Sequence, residues 1–503
     1  MRFGIDFGTT RTVVAVSDRG NYPVVSFADG AGGSREWFPS VVAERDGELV
    51  FGFDALARDH APGWTVVRSF KRLLGGPGTM PSTTVRLGAS EHAVVDVLEG
   101  FLRAVAEAVR HASNLPPEDA PLEVVMATPA HALGPQRFVT IDAFRRAGFE
   151  LLGFLDEPSA AGFEYTHRHR RTLTSNRQHV LVYDLGGGTF DAALVHLADL
   201  RHEVVTTGGD ARVGGDDFDI VLVQRVLDDL GTTEAALGTK RSLTLRERAR
   251  EAKEALNPNS RRVTVDLGDL DLGAPVHTLP VADYYAACRP WVERTLAAMA
   301  PVLEAAEQHP IAGLYVVGGG SALPVVGRRL REDLGRRVHR SPYPSGAVAI
   351  GLAIAADETA GFEVEGRLSR FFGVFRELDG GNDVAFDPIF GRDEPIPATA
   401  QARSRVRREY RAVHNLGRFR FVETSALDPR GLPHEGLQAV GEVTFPFDHG
   451  LRRDDVDLSR VPVERRSTGP RVREEYSVSP MGLVEVDLTD LDTGYARHFT
   501  LGG

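Results

Sequence analysis

Two stretches of this chain share one layout of apolar and polar positions. In the first, Phe3 to Val16 (FGIDFGTTRTVVAV), an apolar strand carries Asp6, turns at Gly8, Thr9 and Thr10, and leaves as a second apolar strand. In the other, Val180 to Tyr183 form an apolar run suited to a buried strand. Asp184 ends it, Gly186, Gly187, Gly188 and Thr189 make the turn, and Phe190 and Asp191 lead into Ala192 to Val195. Turns with so little side-chain bulk expose backbone N–H groups, as a phosphate-holding loop must. An acidic side chain at a strand end can hold a metal ion, through waters if the ion is magnesium. Each stretch alone is also compatible with an ordinary Gly-rich hairpin. Their repetition predicts two related half-domains, each with a phosphate-gripping hairpin.

The pattern elsewhere fills in an α/β domain. Residues 21–60 read as short strands and turns with a helix near Phe53 to Arg58, and a helix is expected over Glu91 to Ser113 from Val94, Val97, Leu98, Phe101, Leu102 and Val105. Leu122 to Thr128 reads as a buried strand closed by Pro129, followed by a helix through Arg146. Gly208 to Asp219 is a second Gly-rich segment ahead of a helix from Phe218, and is also readable as a helix cap. A charged helix spans Leu243 to Leu256, Leu314 to Pro324 reads as strand, triple-glycine turn and helix start, and Val348 to Ala355 is helical. Beyond Phe372 strands and turns take over, with half-buried alternation over Leu483 to Leu488 and a hairpin turn at Asp492, Thr493 and Gly494.

Composition narrows the classes. A length of 503 residues predicts two to four domains. No apolar run is long enough to span a membrane, and the start runs directly into a strand, so no secretory leader is expected. One cysteine, Cys288, precludes an internal disulfide and fits a reducing cytoplasm. A net charge of −12 argues against nucleic acid as the default partner. Lysine occurs only at positions 71, 240 and 253, so each deserves the question of why arginine does not stand there.

The two hairpins resemble the phosphate motifs of the actin-like ATPase superfamily, and in detail those of the heat-shock protein 70 (DnaK-type) chaperones. The resemblance extends in order through SFKRLLGG (Ser69 to Gly76), LLGFLDEPSAAGFEY (Leu151 to Tyr165), Gly208 to Asp219 and LYVVGGGSALP (Leu314 to Pro324). It implies an actin-like ATPase domain of duplicated ribonuclease H-like halves over 1–357, a linker over 358–371, and a β-sandwich peptide-binding-like domain over 372–503. The chain stops after its last strand, so the helical lid of the family is not expected, and a peptide in an open groove would exchange fast. In the linker, Phe362, Val364 and Leu368 are separated by Glu363, Glu365 and Arg367 where the family has a short aliphatic run, so weak interdomain coupling is expected.

The same resemblance implies ATP/ADP and Mg2+ as cofactors and slow ATP hydrolysis. Carried over, Asp6 and Asp184 face the hydrated metal, Lys71 stabilises charge or orients the attacking water, and Glu157, Asp191 and Thr189 complete the water and metal network. Gly8, Thr9, Thr10, Arg11, Gly186, Gly187, Gly188, Gly214 and Gly215 would hold phosphates. Lys253, Asn257, Gly318, Gly319, Gly320 and Ser321 would form the nucleoside side. Pro129 and Arg137 would relay nucleotide state. Glu254 and Ala322 stand where the family places two base-stacking arginines, so weaker nucleotide affinity is expected. Unfolded or extended polypeptides and co-chaperones are the implied partners, in the cytoplasm. A nucleotide-gated scaffold is the alternative, and a sugar or metabolite kinase on the same fold is disfavoured because a C-terminal sandwich would serve no purpose in it.

Overall fold

The computed structural model describes residues 1–502 except 60, 76–82, 118–119, 130–131, 170–172, 175, 199–200, 336–337, 362, 366, 393, 398–403 and 454. Gly76, Phe362 and Gly503 of the expectations above lie outside the described residues.

Both repeated hairpins form, and each sits at the middle of a sheet. In the first sheet the strand order is Phe149–Asp156, Leu122–Thr128, Arg2–Phe7, Arg11–Val16, Phe38–Pro39. In the second it is Val338–Arg340, Ile311–Val317, His179–Leu185, Phe190–Ala198, Arg201–Asp210, Glu363–Glu365. In each sheet the first hairpin strand pairs antiparallel with its successor and parallel with a strand reached through a helical crossover. Parallel neighbours require such a crossover. One is the helix Val94–His111, whose expected stripe from Val94 to Val105 is buried. That helix starts later than its periodicity suggests, because Ser90–Ala93 instead pairs with Thr84–Leu87.

The halves meet through the helices Glu157–His169 and Ala347–Ala356. Glycine permits this approach: a Cβ on Gly351 would lie 1.8 Å from the Ala160 carbonyl oxygen, and one on Gly4 2.3 Å from that of Ala349. The second glycine seats the helix Ala347–Ala356 directly on the first strand.

Residues 371–500 build two four-stranded antiparallel sheets, ordered 383–390, 371–378, 416–424, 438–446 and 405–411, 471–478, 484–490, 496–500. Phe372, Phe421, Phe445, Val472, Tyr476, Val486 and Leu488 fill the core between them, joined by Leu368. The Asp492–Gly494 turn forms between the last two strands as expected.

Part of the segment expected as a linker forms a strand at the edge of the second sheet. Glu363–Glu365 pairs in parallel with Arg201–Glu203, and Arg367 Nη2 lies 2.7 Å from Glu203 Oε1. The physical reason is that a β-ladder is made by main-chain groups, so polar side chains do not prevent it. Arg137 Nη1 donates to the Gly482 carbonyl at 2.9 Å, and Gly134 N–H donates to Glu423 Oε2 at 3.2 Å. Met481 and Leu483 belong to the same buried apolar cluster as Phe144 and Phe149. The β-rich part therefore packs on the first half of the α/β part.

Candidate functional site

A cleft of about 1160 Å³ opens between the two halves, with both glycine turns on its walls. The turns come almost into contact: a Cβ on Gly187 would sit 2.4 Å from Thr10 Oγ1. Gly215 N–H donates to the Gly186 carbonyl at 2.9 Å and Asp216 N–H to that of Gly187 at 2.8 Å, so the 208–219 segment is built onto the second turn. Its helix starts at Gly215 rather than Phe218, because the Asp217 carboxylate accepts from Gly214 N–H at 2.8 Å and caps it. Gly318 completes the wall with φ 82°, a conformation costly for other residues, close beside Asp184.

Four carboxylates, Asp6, Glu157, Asp184 and Asp191, line the floor around Lys71. Burial pushes Asp6 up to about 7, with the charge of Glu157 adding and Lys71 opposing. Burial likewise pushes Glu157 up to about 7, opposed by Lys71 and reinforced by Asp191 and Asp156. Asp184 is held well above the carboxylate range by burial and by Glu157, Asp6 and Asp191. Lys71 Nζ donates to the Phe7 carbonyl and lies 3.9 Å from Glu157 Oε1. One ammonium does not neutralise four buried carboxylates, and such a surplus calls for a cation. Among the described residues no three acidic, imidazole or thiol groups converge to ligate a metal directly. A hydrated divalent ion is what this donor set fits.

The base side is arranged differently from the expected pattern. Arg11 Nη2 reaches the two Glu254 carboxylate oxygens at 2.7 and 2.6 Å, spanning the cleft between the first hairpin and the helix Thr239–Glu254. The Arg11 guanidinium also lies 4.7 Å over the Trp37 ring. Two turns earlier on that helix, Glu247 pairs with Arg68 at 3.2 Å. Lys253 turns inward, donating to the Gly215 carbonyl at 2.9 Å and pairing with Asp219 at 2.5 Å.

Of the residues expected at the site, Asp6, Gly8, Thr9, Thr10, Arg11, Lys71, Glu157 and Asp184 line the cleft, as do Gly186, Gly187, Thr189, Asp191, Gly215, Lys253, Gly318, Gly319 and Gly320. Gly188, Gly214 and Ser321 stand behind the lining: the Gly188 carbonyl accepts from Arg72, Gly214 packs on Gly187, and Ser321 Oγ donates to Gly318. Asn257 is exposed outside the cleft lining, and its Oδ1 accepts from Asn259 N–H at 3.0 Å within its own turn. Sequence reasoning missed Arg72, Arg250 and Arg340, which all line the cleft. Arg72 was signalled by its place beside Lys71 and Arg250 by lying one turn before Glu254. Arg340 carries no sequence signal.

Known proteins agree with this architecture. The sequence model of the family described as Hsp70 protein matches residues 2–368. A chaperone protein HscA homolog of Chromobacterium violaceum is 34% identical over 380 residues, covering 71% of this chain and 58% of the relative. An HscA homolog of Acidovorax ebreus is 32% identical over 423 residues, covering 79% and 65%. The chaperone protein DnaK of Mycoplasmopsis synoviae is 28% identical over 471 residues, covering 88% and 74%. This chain thus spans less than two thirds of the length of these HscA relatives. With the duplicated sheets, the facing glycine turns and a family match running through the whole cleft-forming region, the chain belongs to the Hsp70 family.

Proposed function

We propose that this chain binds ATP or ADP with Mg2+ in the cleft, hydrolyses ATP slowly, and couples that cycle to binding of extended polypeptide segments. The observation that carries the reading is the meeting of two phosphate-type turns over a buried carboxylate floor with a single lysine. Phosphoryl transfer to water asks mainly for positioning and charge stabilisation. The Gly8 and Gly186 N–H groups close their own turns on the Asp6 and Thr189 carbonyls, which leaves the N–H groups of Thr9, Thr10 and Gly187 to Thr189 to hold the phosphates, and Lys71 stabilises charge next to the attacking water. Asp6 and Asp184 hold the magnesium shell, with Glu157, Asp191 and Thr189 ordering water. When bound, the ion neutralises charge on the phosphate oxygens.

Polypeptide binding is supported by the exposed apolar side chains Phe375, Leu378 and Val384 on the hairpin 371–390, beside an edge strand. An edge offers main-chain bonds to an extended segment, and the apolar side chains offer selectivity. Co-chaperones and a cytoplasmic setting belong to the same reading, and the single cysteine, buried Cys288, accords with it. No described helix is long and apolar enough to cross a membrane.

The test is a calorimetric titration with ATP, ADP and GTP in the presence of Mg2+, followed by release of a fluorescent extended peptide with and without ATP. Saturable binding of ATP and ADP, with peptide release altered by ATP, is the expected result. Nucleotide binding without any effect on peptide would leave a scaffold, and no nucleotide binding would end the proposal.

A further inference from the structure

On the second sheet, at the strand ends away from the glycine turn, three histidines form a stack. His179 and His196 are register partners with ring centroids 4.6 Å apart, and His179 lies 4.1 Å from His309. His196 is in turn the register partner of Glu203, which pairs with Arg367 just after the docked linker strand. Strand register thus sets three imidazoles, Glu203 and Arg367 around a cavity of about 370 Å³. The rings lie within 20–23° of parallel, so their nitrogens, whose N–H bonds and lone pairs lie in the ring planes, point out from the sides of the stack. No described cluster of this kind is arranged for a metal.

We propose that this histidine stack is a proton-sensitive lock on the docked linker, released on acidification. Arg367 and an imidazolium compete for one carboxylate, Glu203. With the linker docked, the Arg367 guanidinium sits on Glu203 and offsets the pull of that carboxylate on a protonated ring in the stack. With the linker undocked, Glu203 is free to pair with a protonated ring. Protons therefore bind the undocked arrangement better, and by linkage they favour it. The groups facing His179 are His196 from the neighbouring strand, His309 from the segment before Ile311–Val317, and Glu203. Adjacent His202 is fully buried, stacks on Phe163 at 4.1 Å and contacts Thr166, under the helix 157–169, so undocking does not uncover it.

The position of His179 agrees with this. Its pKa is pushed down to about 4, by burial first and then by His309 and His196, with Glu203 opposing. Undocking removes the guanidinium beside Glu203 and leaves the neighbouring imidazoles in place, so the docked arrangement keeps its full advantage above the ordinary histidine range near about 6.5 and loses part of it as pH falls toward about 4.

Hydrogen exchange of the full chain at pH 7.5, 6 and 5, corrected for intrinsic rates, tests this. Protection over Glu363–Glu365 should fall at least about twofold between pH 7.5 and 5 while strand 438–446 keeps its protection. His179→Phe keeps a ring in the stack without a proton and should abolish that fall; His309→Phe serves if the first variant does not fold. In Arg367→Gln the His179 titration midpoint, followed by NMR, should rise toward the ordinary value because Glu203 is released. Linker protection that does not change with pH, an equal fall in the phenylalanine variant, or an unmoved midpoint would each overturn the proposal. None of these readouts involves nucleotide or peptide, so they stand apart from the proposed ATPase cycle.

Discussion

At Glu254 a change of charge type alters what the position does. Where an arginine would cover a base, the carboxylate clasps Arg11 across the mouth of the cleft. Both side chains are partly exposed, so the pair is worth about 0.2–1 kcal/mol. Glu254→Gln should therefore speed dissociation of a fluorescent nucleotide by no more than about fivefold, and the difference should shrink at high salt. Equal dissociation rates at low salt would remove the clasp. Placing arginine at 254 would set it against Arg11, so it is not expected simply to restore base stacking. On the phosphate side, Lys71→Ala and Asp184→Asn should each reduce ATP hydrolysis at least about tenfold, roughly 1.4 kcal/mol of transition-state stabilisation. Wild-type turnover in a folded variant would strip that residue of its assigned role.

Elements decide which of these residues were readable in advance. The two hairpins were legible because strand, acid and glycine turn are contiguous, and each half shows the same sequence of them. Arg72 and Arg250 are signalled only by their neighbours Lys71 and Glu254, and Arg340 not at all, since it enters the cleft from an element remote in sequence. His179, His196 and His309 were equally hidden, because only register places them on one face. The contact between the halves depends on a detail invisible to periodicity: Gly351 lies against the Ala160 backbone. Gly351→Ala forces the two helices apart, and overpacking of this kind costs about 1–3 kcal/mol. Chemical denaturation should show that loss, and an unchanged midpoint would mean the helices shift without cost.

For the whole molecule, coupling rests on two attachments: the linker strand at the second sheet, and the packing of the 134–146 helix against the β-rich part. Proline fits poorly inside a β-ladder, so Val364→Pro should weaken docking of the strand, increasing the radius of gyration in small-angle scattering and raising cleavage near residues 363–365. Val364→Thr should leave both as they are. If proline has no effect, the parallel pairing does not hold the linker. Arg137→Ala should loosen the other attachment, because the buried Gly482 carbonyl loses its donor, a loss of about 1–3 kcal/mol.

A tether held through its main chain carries little information in its side chains. Over generations such a segment is free to exchange almost any residue except proline while still docking, so its lettering can drift far from that of its relatives. What drifts is then the set of signals the docked state answers to. In this chain the segment carries Glu363, Glu365 and Arg367, and imidazoles line the sheet beside it, so this joint stands to be addressed by charge and by protons.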